Sequence, residues 1–431
     1  MRSLLTFALL FSACSPNAAP GGGGDDDTAP PDGAEPPGGC LAGKAGAACI
    51  LELFDRATSA CDPATVAELR AELDARAGMG PLWANGRALF RTAQPISIAG
   101  AFNDWTANAL VSSAVCGTDL VVAAGAVPSG HWQYKLTDGS AWSLDPQNPA
   151  FAYDDFAGNP DGANSVLATP DAGRGQLVRL ERACSTALGN CRGVTAYLPP
   201  GYDAREHAAR TYPVLFMHDG QNVWDDHDCC FGHTGWEVNV TLDAEIAAGR
   251  VAPIIVIAAD NTPARNAEYG LSASAMAAFM KFQVEELQPA ALAQVRWDGA
   301  RVGVAGSSLG GLVAMHLALR HPQTYGAVAS LSGAFWPEET ALRPLLPGLG
   351  KQALAVYLDH GGRAANNSDG AADSIAVRDA LAALGWQTQV SPACTTGPDA
   401  LCYFTEPGAT HDELAWKARA FRFLRFLYPA P

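Results

Sequence analysis

The stretch Val302-Gly-Val-Ala-Gly306-Ser307-Ser308-Leu309-Gly310-Gly311 constrains this chain more than any other. It reads as an apolar strand, then Gly-x-Ser-x-Gly, then a helix opening Leu312-Val-Ala-Met. A serine on a sharp strand-to-helix turn needs small neighbours, because a side chain at Gly306 or Gly310 would strike nearby backbone. Such a turn exposes the hydroxyl and aims a helix N-terminus at developing negative charge. Ser308 is therefore the candidate nucleophile and Ser307 its neighbour. The N–H of Leu309 is a candidate oxyanion donor.

The surrounding pattern supplies the scaffold. From about residue 175, short apolar runs alternate with longer amphipathic ones. Strands are expected at 194–198, 213–218, 254–259, 302–305, 327–331, 354–358 and 387–390. Helices are expected at 273–295, 309–320, 371–384 and 412–427. This alternation predicts an α/β architecture, a mostly parallel sheet with helices on both faces. A second oxyanion donor should follow an earlier strand, and the turn His218-Asp219-Gly220-Gln221-Asn222 offers the N–H of Gln221, with Asn222 behind it. The general base should follow the last strand, where His411 precedes the C-terminal amphipathic stretch. The acid that orients it should lie between the two. Asp369 is favoured and Asp359 is the alternative. Serine, acid and histidine in that order on such a sheet describe the α/β-hydrolase fold.

The rest of the chain bears on compartment and partners. A net charge of -16 argues against nucleic-acid binding, which needs clustered Lys and Arg. Residues 1–13 have the charge, apolar run and small end of a signal peptide. Phe11-Ser12-Ala13-Cys14 is similar to a bacterial lipobox, which would acylate Cys14 and anchor an exported protein to the membrane. Residues 14–38 read as a flexible acidic tether. The remaining ten cysteines suit disulfides in an oxidising compartment. Cys184 with Cys191, and Cys394 with Cys402, look like local pairs. Cys40, Cys49, Cys61 and Cys116 make two further bridges of open connectivity, and Cys229-Cys230 is left open. Residues 39–80 read as a short helical, disulfide-stapled segment, and 82–170 as a β-sandwich ahead of a catalytic domain at 175–431.

Two resemblances extend this reading. Ile96 to Trp105, Gly130 to Lys135 and Asp145 to Asn148 resemble early-set, immunoglobulin-like modules. There Trp105, Trp132 and Trp142 either form a sugar-stacking platform or pack internally. The catalytic half resembles the esterase D and enterochelin esterase-like α/β-hydrolases, which include feruloyl and acetylxylan esterases. The matching pieces are Val194 to Tyr202, Phe216 to Gln221, Asp260-Asn261 with Arg265 to Tyr269, Gly306 to Gly311, Tyr357 to Gly361 and His411 to Trp416. The resemblance implies a serine esterase acting on a small ester, an esterified polysaccharide or a siderophore, with no cofactor, and the leader implies that it is exported. An acyltransferase on the same fold and a catalytically idle carbohydrate- or partner-binding lipoprotein are the alternatives. His227, Cys229, Cys230 and His233 lie close in sequence, but oxidised cysteines are expected there and no metal site is assigned. Arg265 and Glu268 are expected to pair and brace a loop. Trp224 and Trp236 either line a pocket or pack.

Overall fold

The apolar runs of the second half become strands whose side chains alternate between two cores. In the computed structural model Val214 and Phe216 of the strand Val214–Met217 face one hydrophobic cluster, and Leu215 and Met217 face the other. Ile255 and Ile257 of the strand Ile255–Ala259 divide from Val256 and Ala258 in the same way. Side chains of a strand point alternately to opposite faces, so an unbroken apolar run is what a sheet covered on both sides requires. The structure describes residues 40, 46–154, 162–204, 207–224, 235–362 and 369–431. The leader, Cys14, the tether, His227, Cys229, Cys230 and His233 lie outside the described residues.

The N-terminal elements are helices α1 (Gly46–Ala60) and α2 (Pro63–Asp74), then nine strands. These are β1 (Leu82–Ala84), β2 (Arg87–Thr92), β3 (Ser97–Gly100), β4 (Ser113–Ala114) and β5 (Val121–Ala126). After them come β6 (His131–Thr137), β7 (Trp142–Ser143), β8 (Ala150–Tyr153) and β9 (Ala163–Ala168). Strands β1, β2, β5 and β4 form a small sheet. Its Phe90 and Ala123 pack against Ile98, Tyr134 and Leu167 of the facing strands. Its other face receives Ile50, Leu53, Leu69 and Leu73 of the helix pair. Trp105 and Trp142 are exposed with rings 6.3 Å apart and tilted by 54°, while Trp132 donates Nε1–H to the Pro128 carbonyl at 2.8 Å. The three do not make one flat platform.

The larger sheet runs on without a break into the catalytic half. Its strands are β10 (Gln176–Ser185), β11 (Asn190–Leu198), β12 (Val214–Met217), β13 (Ile255–Ala259) and β14 (Val302–Ser307). They continue with β15 (Tyr325–Leu331), β16 (Ala355–His360), β17 (Gln387–Val390) and β18 (Ala400–Thr405). The order is β17-β18-β16-β15-β14-β12-β13-β11-β10, then β8-β9-β6-β3. Strands β12 to β18 pair in parallel, β11 and β10 antiparallel. Phe151 of β8 stands opposite Leu177 of β10, so the small two-sheet unit shares a sheet with the catalytic half. Residues 40–431 form one compact unit.

The helices are α3 (Gly220–Val223), α4 (Val238–Ala247), α5 (Ala273–Phe282), α6 (Gln288–Leu292) and α7 (Leu309–Arg320). After them come α8 (Leu346–Leu349), α9 (Ala371–Ala383) and α10 (Glu413–Leu427). The helix expected over 273–295 is interrupted. Residues 283–287 wind as a π-helical turn just before Pro289, which has no N–H to continue a regular ladder. Strands β10 and β18 escaped the sequence pattern. In β10, Arg179, Glu181 and Arg182 break up the apolar run on a solvated antiparallel strand, and β18 itself contains Cys402, the second cysteine of a local bridge.

Both local disulfides form as read, and the open four resolve into Cys40–Cys49 and Cys61–Cys116. Cys61–Cys116 ties the helix pair to the small sheet across 55 residues, whereas Cys184–Cys191 closes only 7. Loop closure in the unfolded chain then favours the longer bridge, about 4 against about 2 kcal/mol. Denaturant unfolding of the Cys61→Ser/Cys116→Ser chain should show the larger loss of stability.

Candidate active site

Strand β14 ends at Ser307 and α7 begins at Leu309, so Ser308 alone makes the corner. Its φ of 55° and ψ of -126° lie where side-chain-bearing residues are rare. Three backbone bonds hold it there. Its N–H donates to the Leu331 carbonyl at 3.0 Å, and its carbonyl accepts from Leu312 at 3.1 Å and Ala334 at 2.9 Å. A Cβ on Gly306 would stand 2.6 Å from the Gly310 carbonyl group, so the close approach of helix to strand excludes any larger residue.

The loop after β18 brings His411 to this corner. His411 Nε2 lies 2.9 Å from Ser308 Oγ, and Nδ1 lies 2.6 Å from Asp369 Oδ1. The Trp416 ring meets the imidazole edge-on at 5.1 Å. The His411 side chain is 39% exposed and that of Asp369 is 0% exposed, so the imidazole is open to solvent and the carboxylate is sealed behind it. Asp369, just ahead of α9, also accepts from Ser332 Oγ at 2.6 Å and from the Gly361 N–H. Burial pushes the Asp369 carboxyl up, but the bonds from His411, Ser332 and Gly361 outweigh it and hold it below its ordinary range.

The alternative acid, Asp359, sits at the end of β16 and points elsewhere. It accepts from Arg419 Nε at 2.9 Å, from Tyr357 O–H at 3.1 Å and from the Ser332 N–H at 3.1 Å. Burial pushes its carboxyl up and Arg419 opposes this. A neutral Asp359 would leave the buried Arg419 guanidinium without its nearest counter-charge, so the pair is read as ionised. Arg419 is a residue that sequence reasoning missed. The signal was present: it stands in the apolar stripe Trp416, Arg419, Ala420, Phe423 of α10, where a cation needs a buried anion.

The two candidate oxyanion donors leave the same end of the sheet from neighbouring strands. Leu309 is the first residue of α7 and Gln221 lies in the first turn of α3, so neither N–H has an intrahelical partner. The Gln221 amide is locked to Asn261 in both directions, at 2.9 and 3.0 Å. Asp219 enters α3 at φ 59° and is gripped by Arg265 through Nε and Nη2, both at 2.6 Å, and by Asn261 at 2.6 Å. Arg265 and Glu268 therefore do not pair with each other as expected. Glu268 binds Arg192 at 2.7 Å in a separate buried ion pair, while the Arg265 guanidinium is held by Asp219. Trp224 and Trp236 are buried packing residues. Among the described residues no three His, Cys, Asp or Glu side chains converge to hold a metal ion.

Comparison with known proteins places this sequence in a family. A family model described as "Putative esterase" matches residues 185–427, more than half of the chain. The chain belongs to this esterase family. The family segment holds Ser308, His411 and Asp369 and leaves out the small two-sheet unit. The iron(III) enterobactin esterase of Dickeya dadantii is 32% identical over 175 residues, 40% of this chain and 36% of that protein. An endo-1,4-beta-xylanase/feruloyl esterase of Xylanibacter ruminicola is 27% identical over 175 residues, 36% of this chain and 21% of that protein. The chain thus aligns with only about a third or less of the length of either relative. A solved enterobactin esterase of Shigella flexneri is 18% identical with a TM-score of 0.43, covering 80% of this chain and 95% of that one. A ferulic acid esterase structure is 18% identical with a TM-score of 0.45, covering 59% and 98%.

A buried histidine beside the Ser308 corner should make the fold acid-sensitive. His218, ahead of α3, lies against Tyr269 and Phe279 with Nε2 unpartnered. Burial lowers it to about 4. In the unfolded chain it would take a proton first, near its ordinary value of about 6.5. Its contribution is therefore intact above that pH and is lost as pH falls toward 4. Melting scans between pH 7 and 4 should show that His218→Phe removes up to about 3 kcal/mol of the acid-induced loss.

Proposed function

We propose that this chain is a serine esterase that hydrolyses carboxylic esters through an acyl-enzyme. The single observation that carries this is the hydrogen-bonded run Ser308–His411–Asp369 on a strand-to-helix corner. His411 Nε2 takes the Ser308 proton as Oγ attacks the ester carbonyl carbon. The N–H groups of Leu309 and Gln221 hold the oxyanion. His411 returns the proton to the departing alkoxide, and water repeats the sequence to release the acid. Asp369 keeps Nδ1–H donating and stabilises the imidazolium.

The names of the two relatives support an ester of a phenolic or siderophore acid as substrate. Neither relative is matched over its whole length, so the class is proposed at that level only. We also infer export with a lipid on Cys14. The four disulfides support an oxidising compartment. Labelling of expressing cells with radioactive palmitate should be lost in Cys14→Ser.

Hydrolysis of p-nitrophenyl acetate and butyrate by the purified chain tests the chemistry. Ser308→Ala should lower kcat by at least about a thousandfold, and Asp369→Asn by a comparable factor with the fold unchanged. Equal rates for wild type and Ser308→Ala would sink the proposal.

A further inference from the structure

The carboxylate that faces His411 does not stand alone. Behind it lies a buried array of one cation and two anions. Arg419 and Asp359 are both fully enclosed, as is Asp369. Arg419 gives its Nε–H to Asp359 at 2.9 Å, while its Nη2 stands 3.6 Å from Asp369, beyond hydrogen-bond range. That Nη2 donates instead to Ser332 Oγ at 2.5 Å, and Trp416 Nε1–H donates to the same oxygen at 3.0 Å. A hydroxyl has one proton and two lone pairs. With both lone pairs occupied, the Ser332 proton can go only to Asp369, where it is found at 2.6 Å.

Resting on the serine-esterase proposal above, we infer that Asp359 is a positioning residue for catalysis: it occupies the charge of Arg419, so that Asp369 keeps a full negative charge for the imidazolium of His411. The geometry separates two jobs that one acid would do poorly. Ser332, itself held by Arg419, and the Gly361 N–H fix the outer oxygen of Asp369 and so leave its inner oxygen facing Nδ1. A bare guanidinium at that distance would also neutralise Asp369 and oppose the positive charge that His411 acquires. Asp359 cancels that field at its source. With His411 neutral the array carries one net negative charge, and with His411 protonated it is balanced.

The other charged groups around His411 do not substitute for this device. Asp412 is the N-cap of α10, accepting from Ala415 at 2.9 Å, and Glu413 in the first turn of α10 meets Asn222 at 3.3 Å. On the turn that carries Gln221, Asp219 and Arg265 form an internally balanced pair. Lys417 on α10 is paired with Glu237.

The test follows the rate at which a fluorophosphonate probe labels Ser308, as a function of pH, in the full chain. Labelling reports the nucleophile and its base without needing the natural ester. Asp359→Asn should move the acid limb of the profile down by about one pH unit, because an uncancelled cation now opposes protonation of His411. The plateau should fall about three- to tenfold. Asp359→Asn with Arg419→Met removes both charges and should bring the acid limb back to its wild-type position. A merely structural pair would give a double variant at least as impaired as the single, with no return of the limb. Should the methionine variant not fold, Arg419→Gln serves in its place, and Asp359→Asn alone already decides the sign. An acid limb unmoved in Asp359→Asn overturns this inference while labelling at Ser308 stands. No labelling of wild-type Ser308 overturns the serine-esterase proposal and this inference together.

Discussion

A serine held at φ 55° between β14 and α7 is the constraint on which the rest depends. Left to itself such a residue would relax toward an ordinary conformation, at a gain of one to a few kcal/mol, order of magnitude. It is kept in place because its own N–H and carbonyl are bonded to Leu331, Leu312 and Ala334. Those partners belong to α7 and to β15 with its following turn, so the corner is only as firm as the packing of both. That packing is dense. Residues Leu309 to Leu319 of α7 are buried on every side, so the helix cannot turn or slide to relieve the strain.

Burial of the second layer has an electrostatic consequence as well as a mechanical one. Helix α10 is capped by Asp412 and closes one face of the sheet with Trp416, Ala420, Phe423 and Leu424. The same face carries Arg419 into the interior, where desolvation would be costly for a lone cation. Asp359 and Asp369 meet it there, from the strand β16 and the segment leading into α9. One helix therefore supplies the ring against His411, the cation behind Asp369 and a large part of the apolar cover. Packing and charge placement cannot be separated in this element.

The sheet that carries the site also reaches beyond it. Through the β8–β10 pairing it continues into the small two-sheet unit, whose outer face is shielded by the helix pair and fastened by Cys61–Cys116. The antiparallel edge of the catalytic sheet is thus covered by further strands rather than exposed, which removes an open edge that could pair with another chain. The aromatic residues Trp105 and Trp142 remain at the surface of that unit.

Local signals in the sequence determined the parts governed by neighbours in the chain. Gly-x-Ser-x-Gly between an apolar strand and a helix marks Ser308, because steric demands of a tight corner act within five residues. Uninterrupted apolar runs mark β12, β13 and β14, because a strand buried on both faces has no polar side. The short cysteine spacings mark two local bridges for the same reason. Only the tertiary structure decided which aspartate meets His411 and which meets Arg419, since Asp359 lies at the end of β16, Asp369 follows within ten residues, and sequence spacing cannot tell where each side chain turns. It also decided that Arg265 grips Asp219 and that Glu268 grips Arg192, pairings that join separate loops and strands. Long-range charge pairing depends on which surfaces are sealed together, and no local pattern of residues encodes that.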